Sequence, residues 1–198
     1  MAKKVQLFIT CLMDTFRPAA GEAVVQVLNR LGVEVHFPPD QTCCGQPAFN
    51  AGMRDEARKM AKQTITAFEN HPGNIIIPSG SCTSMVRHYY PELFVDDPEW
   101  KARAENLASR TLEFTEYLVD ELGVADVGAQ YQGNLTYHAS CHLSRGLGIE
   151  QQPMVLLNNV HGATITELPE ANECCGFGGV FSVKHPLISA EMLKRKID

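Results

Sequence analysis

Val33-Glu34-Val35-His36-Phe37-Pro38-Pro39-Asp40-Gln41-Thr42-Cys43-Cys44-Gly45 is a short strand that runs through two prolines into an adjacent pair of cysteines. Working outward from it, both flanks repeat one plan. Upstream, Pro18 to Leu31 fits a helix with Ala20, Ala23, Val24, Val27, Leu28 and Leu31 on one face, and Gly32 suits its C-terminal stop. Before that helix, Val5 to Thr10 is an apolar run of strand length that ends at Cys11. Downstream, a helix places Ala57, Met60, Ala61, Thr64, Ile65 and Phe68 on its inner face. The turn His71-Pro72-Gly73-Asn74 then leads into a strand, Asn74 to Pro78, which ends in Ser79-Gly80-Ser81-Cys82. Strand alternating with helix predicts a parallel α/β sheet. In such sheets, sites gather beyond the carboxyl ends of the strands. Each cysteine lies just past such an end, so cysteines distant in sequence are expected to meet in space.

The Cys-Cys-Gly triplet occurs twice, at residues 43–45 and 174–176. Composition alone predicts about 0.02 such triplets in a chain of this make-up, so the pair is a repeat. Cys11 precedes Cys43 by 32 positions and Cys141 precedes Cys174 by 33. The alignment also matches Phe37-Pro38 with Leu168-Pro169, and the strand before Cys11 with Leu135 to Ser140. A helix over Pro98 to Leu122, with Asp97 as N-cap and Gly123 as stop, is expected to join the copies, followed by a loop over Gly128 to Gly133. The second copy then reads as a strand over Leu135 to His138, Cys141, a helix over Gln152 to Val160, a strand over Ala163 to Leu168, the triplet, and a helix over Lys184 to Lys196. The expected division is residues 1–97 for the first repeat, 98–133 for the connecting helix and loop, and 134–198 for the second repeat. A counterpart of Cys82 is expected near position 213, beyond Asp198, so the spacing predicts an incomplete version of a longer protein. A full-length coding sequence tests this.

The 198 residues suffice for a hydrophobic core without disulfide support. The formal net charge of -6 argues against a nucleic-acid surface. No apolar run reaches the length of a membrane span. The run after Met1-Ala2-Lys3-Lys4 is broken by Gln6, Thr10 and Asp14 and reads as a buried strand, not a signal peptide. A cytoplasmic address follows. Seven cysteines, an odd number, cannot all pair internally. In a reducing compartment, clustered cysteines serve metal or redox chemistry more often than disulfides.

Soft thiolates bind iron–sulfur clusters, zinc and Cu(I). Cys11, Cys43, Cys44 and Cys82 form one set of four, enough for a [4Fe–4S] cluster or tetrahedral zinc; Cys141, Cys174 and Cys175 form a second set. Zinc sites usually come as C-x₂₋₄-C knuckles. Adjacent cysteines, whose side chains are expected to diverge, suit the several irons of a cluster better. Gly45 and Gly176 allow φ > 0 or a close approach of backbone to sulfur, so that backbone N–H groups can point at the sulfurs. Other features read as structural. Gly176-Phe177-Gly178-Gly179 lacks the full phosphate-loop fingerprint. His138 and His142 are read as hydrogen-bonded structural groups, Met85 as core, and Lys194-Arg195-Lys196 as a solvated helix end. The rivals are a zinc-organised interaction module and a thiol redox protein, the latter weakened by the lack of any C-x-x-C.

The pattern Cys11-x₃₁-Cys43-Cys44-Gly45 with Cys82, then Cys141-x₃₂-Cys174-Cys175-Gly176, resembles the duplicated cysteine-rich (CCG) domain family. Related domains occur in heterodisulfide reductase and in the iron–sulfur subunit of glycolate oxidase. The segments Cys43-Cys44-Gly45-Gln46-Pro47-Ala48, Pro78-Ser79-Gly80-Ser81-Cys82 and Cys174-Cys175-Gly176-Phe177-Gly178-Gly179 look closest to the lactate utilization members. The resemblance implies a cytosolic oxidoreductase subunit that supports oxidation of L-lactate to pyruvate with two partner proteins, one a ferredoxin-like iron–sulfur protein. It implies [4Fe–4S] clusters, in some relatives non-cubane, on Cys11, Cys43, Cys44 and Cys82, with Cys141, Cys174 and Cys175 contributing to a second. Glycolate or a heterodisulfide is the alternative substrate. Cys82-Thr83-Ser84-Met85 stands where heterodisulfide reductase carries C-x-x-C, which departs from heterodisulfide chemistry.

Overall fold

A computed structural model describes residues 3–171 and 173–197. The chain folds as two compact units, residues 1–124 and 125–198.

The first unit opens with β1 (Lys4–Leu7), α1 (Cys11–Phe16), α2 (Pro18–Arg30) and β2 (Glu34–His36). Pro18 starts α2, where its missing N–H costs nothing. At the other end Gly32 takes φ 75°, with Gly32 N–H donating to Asn29 O and Val33 N–H to Leu28 O. That is a Schellman stop, and it seats Val33 against Leu28 in the core. The buried face of α2 is Gly21, Val24 and Leu28, whereas Ala20 and Ala23 face solvent. The expected stripe is thus rotated, because the helix lies close over Ile9. A Cβ on Gly21 would stand 3.3 Å from Ile9 Cδ1.

After α3 (Gln46–Asn50) comes α4 (Arg54–Glu69), which buries Ala57, Ala61, Thr64, Ile65 and Phe68. Met60 is half-buried. β3 (Asn74–Ile77) leads to α5 (Gly80–Ser84), a π-helical turn over Met85–Tyr89, α6 (Tyr90–Leu93) and α7 (Pro98–Ser109). Asp97 caps α7, accepting from Trp100 N–H.

The helix expected to continue to Leu122 stops at Ser109. Thr111–Glu113 instead form β4, followed by α8 (Phe114–Glu116) and a π-helical turn over Tyr117–Glu121. Two contacts explain the break. The Arg110 guanidinium donates to Phe68 O, His71 O and Gly73 O, which ties the chain to the entry of β3. Thr111 Oγ1 donates to Leu107 O and ends the helical ladder. The Glu113–Glu116 capping box then starts α8.

The sheet order is β2-β1-β3-β4, all parallel. The chain therefore leaves β1 toward one neighbour and returns on the other side through β3, so the carboxyl ends of β1 and β3 flank a topological switch point. Phe8, Ile65, Phe68, Ile75, Ile77, Met85 and Tyr90 fill the core beside it, as expected for Met85. Gln6, wholly buried in the sheet centre, donates to Phe68 O and His71 O.

The second unit contains β5 (Gln130–Leu135), a π-helical turn over His142–Gly146, α9 (Gln151–Asn158), β6 (His161–Ile165), α10 (Val180–Lys184) and α11 (Pro186–Ile197). β5 and β6 pair in parallel, with a register shift between Gln130 and Gly133. The strand expected over Leu135 to His138 lies earlier in the chain, across residues expected to form a loop. β5 is exposed along nearly its whole length, so it carries no alternation of apolar residues to mark it. The cysteine plan repeats all the same: strand and Cys141, then strand and Cys-Cys-Gly, then helix.

Candidate metal centre

In the first unit the sulfurs sit on three structural ends. Cys11 is the first residue of α1, whose N-cap Thr10 accepts from Met13 N–H. Cys43 and Cys44 precede α3, and Gly45 between them and the helix takes φ 83°. A side chain there would meet Met60 Cβ at 3.3 Å and Ala57 O at 3.4 Å. Cys82 follows β3 within α5. The switch point brings all four together. Cys11 Sγ lies 3.5 Å from Cys43 Sγ, and Cys44 Sγ lies 3.2 Å from Cys82 Sγ. Cys43 and Cys44 also lie close enough for each to act on the other's ionisation. Each sulfur of the adjacent pair reaches a different partner, Cys43 toward Cys11 and Cys44 toward Cys82.

The result is a chain, Cys11–Cys43–Cys44–Cys82, in which acidity alternates. Cys43 is lowered to about 5, chiefly by the hydrogen bond from Cys44, then by the Gly45 N–H and Cys11. Cys82 is lowered by Cys44 and by the hydroxyls of Ser79 and Ser81. Burial, followed by Cys43, raises Cys11 to about 11. Cys44 is raised by its hydrogen bonds to Cys43 and Cys82, and by burial. Backbone N–H groups point at these sulfurs as expected: Leu12 at Cys11, Gly45 at Cys43 and Gln46 at Cys44.

Several supporting groups carried no signal in the sequence. The Gln41 side chain donates to Leu7 O and Pro38 O and accepts from Ile9 N–H, locking the loop before Cys43 onto β1. Gln46 donates to Ser81 O. The buried Tyr90 phenol donates to Cys44 O at 2.9 Å, and burial keeps it protonated. A cavity of about 220 Å³ opens beside Cys11 and Cys43, with Asp14, Phe37 and Gln41 in its wall.

In the second unit Cys141 precedes the π-helical turn. Its thiol is raised by burial and by Cys174, with Cys175 also close enough to act on it. Gly176 takes φ 76° and its N–H donates to Cys174 Sγ at 3.4 Å. Cys174 and Cys175 are thus near enough to act on the Cys141 thiol. Burial lowers His138 and His142; contrary to the reading of His138 as a hydrogen-bonded group, no hydrogen-bond partner reaches its buried Nδ1 among the described residues. All seven cysteines are free. The donor set of the first unit, two close pairs of soft sulfurs, fits the chemistry of a metal cluster or a thiophilic ion, although no three His, Cys, Asp or Glu side chains among the described residues form a cage around a single ion.

The sequence profile of the CCG cysteine-rich domain matches residues 5–87 and 135–198, one match over each cysteine set. This chain belongs to the cysteine-rich domain family. Lactate utilization protein A of Exiguobacterium sp. is 52% identical over 195 residues, covering 98% of this chain and 79% of that protein. Lactate utilization protein A of Bacillus pumilus is 53% identical over 194 residues, covering 98% and 81%. Lactate utilization protein A 2 of Bacillus cereus is 52% identical over 194 residues, covering 98% and 80%. No helix among the described residues is long and apolar enough to cross a membrane.

Proposed function

We propose that this cysteine-rich-domain protein is an iron–sulfur, electron-transferring subunit of a cytoplasmic complex that oxidises L-lactate to pyruvate. The observation that carries the reading is the convergence of Cys11, Cys43, Cys44 and Cys82 at the switch point of a parallel sheet. The similarity to lactate utilization proteins supplies the substrate. Conversion of lactate to pyruvate releases two electrons and two protons, so some component must accept electrons. Zinc cannot, because it has no accessible redox state. A [4Fe–4S] cluster bound by thiolates supplies one-electron storage. Cys11, Cys43, Cys44 and Cys82 would hold the first, and Cys141, Cys174 and Cys175 would contribute to a second. The Gly45, Gln46 and Gly176 amides, aimed at sulfur, would set its potential. A ferredoxin-like iron–sulfur protein and a third protein complete the assembly, and a cytoplasmic address suits seven free thiols.

One observation favours a second reading, a zinc-organised interaction module. Sulfur separations of 3.5 and 3.2 Å lie near the edge of a tetrahedral Zn–S₄ site, about 3.8 Å for Zn–S bonds of about 2.3 Å. Anaerobic purification with iron, zinc and acid-labile sulfide assays separates the two. Equal iron and sulfide, about four of each per occupied site, is the expected result. Stoichiometric zinc that iron cannot replace would favour the module. A metal-free chain that resists reconstitution leaves thiol redox chemistry. Cys43→Ser or Cys44→Ser should remove the first site's metal while the α/β fold persists by circular dichroism; unchanged metal in both variants refutes the assignment.

A further inference from the structure

Lys196 is almost completely buried, with 5% of its surface exposed, and no carboxylate among the described residues pairs with it. Its Nζ donates to Glu170 O at 3.0 Å, Ala171 O at 2.9 Å and Glu173 O at 2.8 Å. These bonds use all three donors of the ammonium. All three acceptors belong to one loop, which runs from β6 into Cys174 and Cys175. Glu170 in this loop takes φ 52° and is the one non-glycine residue with positive φ among the described residues. A left-handed glutamate is not self-supporting, so an external hold on its carbonyl has a clear task. The lysine charge also acts on His138, three residues before Cys141. Lys196 therefore stands close to both chain segments that deliver the second set of sulfurs.

The first unit solves the same problem without charge. Its counterpart loop, Pro38 to Thr42, is held by the Gln41 amide and, from α4, by Gln63 Nε2 donating to Asp40 O at 3.3 Å. A buried ammonium is costly unless its surroundings are electronegative, and carbonyl dipoles offset the cost only in part.

We propose that Lys196 is the positioning residue and internal countercation of the second cysteine site. Its ammonium pins the carbonyls of Glu170, Ala171 and Glu173 so that Cys174 and Cys175 are presented with Cys141, and its fixed charge offsets the negative charge that a metal cluster and its thiolates bring there. The countercation half rests on the metal-site reading above; the pinning half does not. The test uses the full chain, reduced and metal-free, as wild type, Lys196→Met and Lys196→Arg. Hydrogen exchange over residues 169–176 and alkylation of each cysteine, the latter taken at the high-pH plateau where every thiol is ionised so that loss of the lysine charge does not itself change the rate, are followed by peptide mass spectrometry. Lys196→Met should speed alkylation of Cys174 and Cys175 severalfold and loosen the loop while Cys43 and Cys44 keep wild-type rates. Lys196→Arg, which keeps charge and donors, should return most of the protection. Wild-type rates in Lys196→Met overturn the proposal, as does an equal rise at Cys43 and Cys44, which would make Lys196 a general stability residue. Under anaerobic iron loading, Lys196→Met should retain severalfold less iron at the second site, and full retention overturns the countercation half. A wild type that binds no iron refutes the iron–sulfur reading alone and leaves the alkylation comparison intact.

Discussion

Cys11 and Cys43 are 3.5 Å apart and titrate in opposite directions. The cause is division of labour along a hydrogen-bonded chain: a thiol that donates is harder to ionise, and a thiolate that accepts is easier to keep. Only the thiolate reacts with alkylating agents. Cys43, lowered to about 5, is therefore expected to stay alkylatable as pH falls through neutrality and to lose reactivity only near pH 5. Cys11, raised to about 11, should need strongly alkaline pH. Because the bond from Cys44 is the largest cause of the Cys43 shift, Cys44→Ala should move the Cys43 midpoint upward; an unmoved midpoint in a pH-dependent alkylation series would contradict this ordering. At this scale the sequence was informative about identity and silent about support. Two Cys-Cys-Gly triplets announced the sulfurs and the left-handed glycines. Gln41, Ser79, Ser81 and Tyr90 are ordinary residues whose roles exist only once distant loops meet.

Among the elements, legibility followed hydrophobic periodicity. α4 shows an uninterrupted apolar face, and all of its predicted inner residues are buried except the half-buried Met60. Phe68 packs its ring 5.2 Å from that of Phe8 under β1. Phe68→Ala is expected to destabilise the first unit by about 3–5 kcal/mol, measured by denaturant unfolding, since the cavity adds to the lost transfer energy. β4 was illegible for the opposite reason. Three residues carry no usable period, and Leu112 and Glu113 are good helix formers. What makes them a strand is pairing with Ile75–Ile77, a tertiary cause that local sequence does not record. Gly176 tests the element junction of the second unit. A Cβ there would stand 2.7 Å from Ser189 O and 2.9 Å from Met192 Cβ, at φ 76°. Gly176→Ala should therefore push α11 off the triplet and cost at least the roughly 1 kcal/mol of a left-handed alanine, read as faster alkylation of Cys174.

The whole molecule joins two units of unequal closure. The first wraps a four-stranded sheet in helices, and the α4 face that adjoins the cysteines is sealed. Among its described residues the second has two strands, and α10 and α11 leave Val183, Leu187, Ile188 and Ile197 more than half exposed. Two strands seldom hold independently without further packing. Hydrogen exchange should therefore be distinctly slower in β1 and β3 than in β5 and β6, and thermal unfolding should not be two-state. A single cooperative transition with equal protection in both sheets would contradict this. The repeat itself was plain from cysteine spacing, because ligand-type residues cannot slide along the chain without losing their partners. The difference in closure was not, because it depends on which strands find neighbours.

The four sulfurs of the first unit also differ in depth. Cys11 is exposed and Cys43 half-exposed, while Cys44 and Cys82 keep 3% and 7% of their surface. An oxidant arriving from solvent thus meets them in a set sequence, rim before floor. Of the rim pair, Cys43 is the thiolate, so injury to the metal-free chain should begin there as a sulfenic acid. The Cys11 thiol beside it can condense with that acid, releasing water and leaving a disulfide that reductants reverse. The buried inner pair, Cys44 and Cys82, is expected to stay reduced longer. A centre laid out in this way ages from its edge, and its history of oxygen exposure should be readable from which sulfurs have changed first.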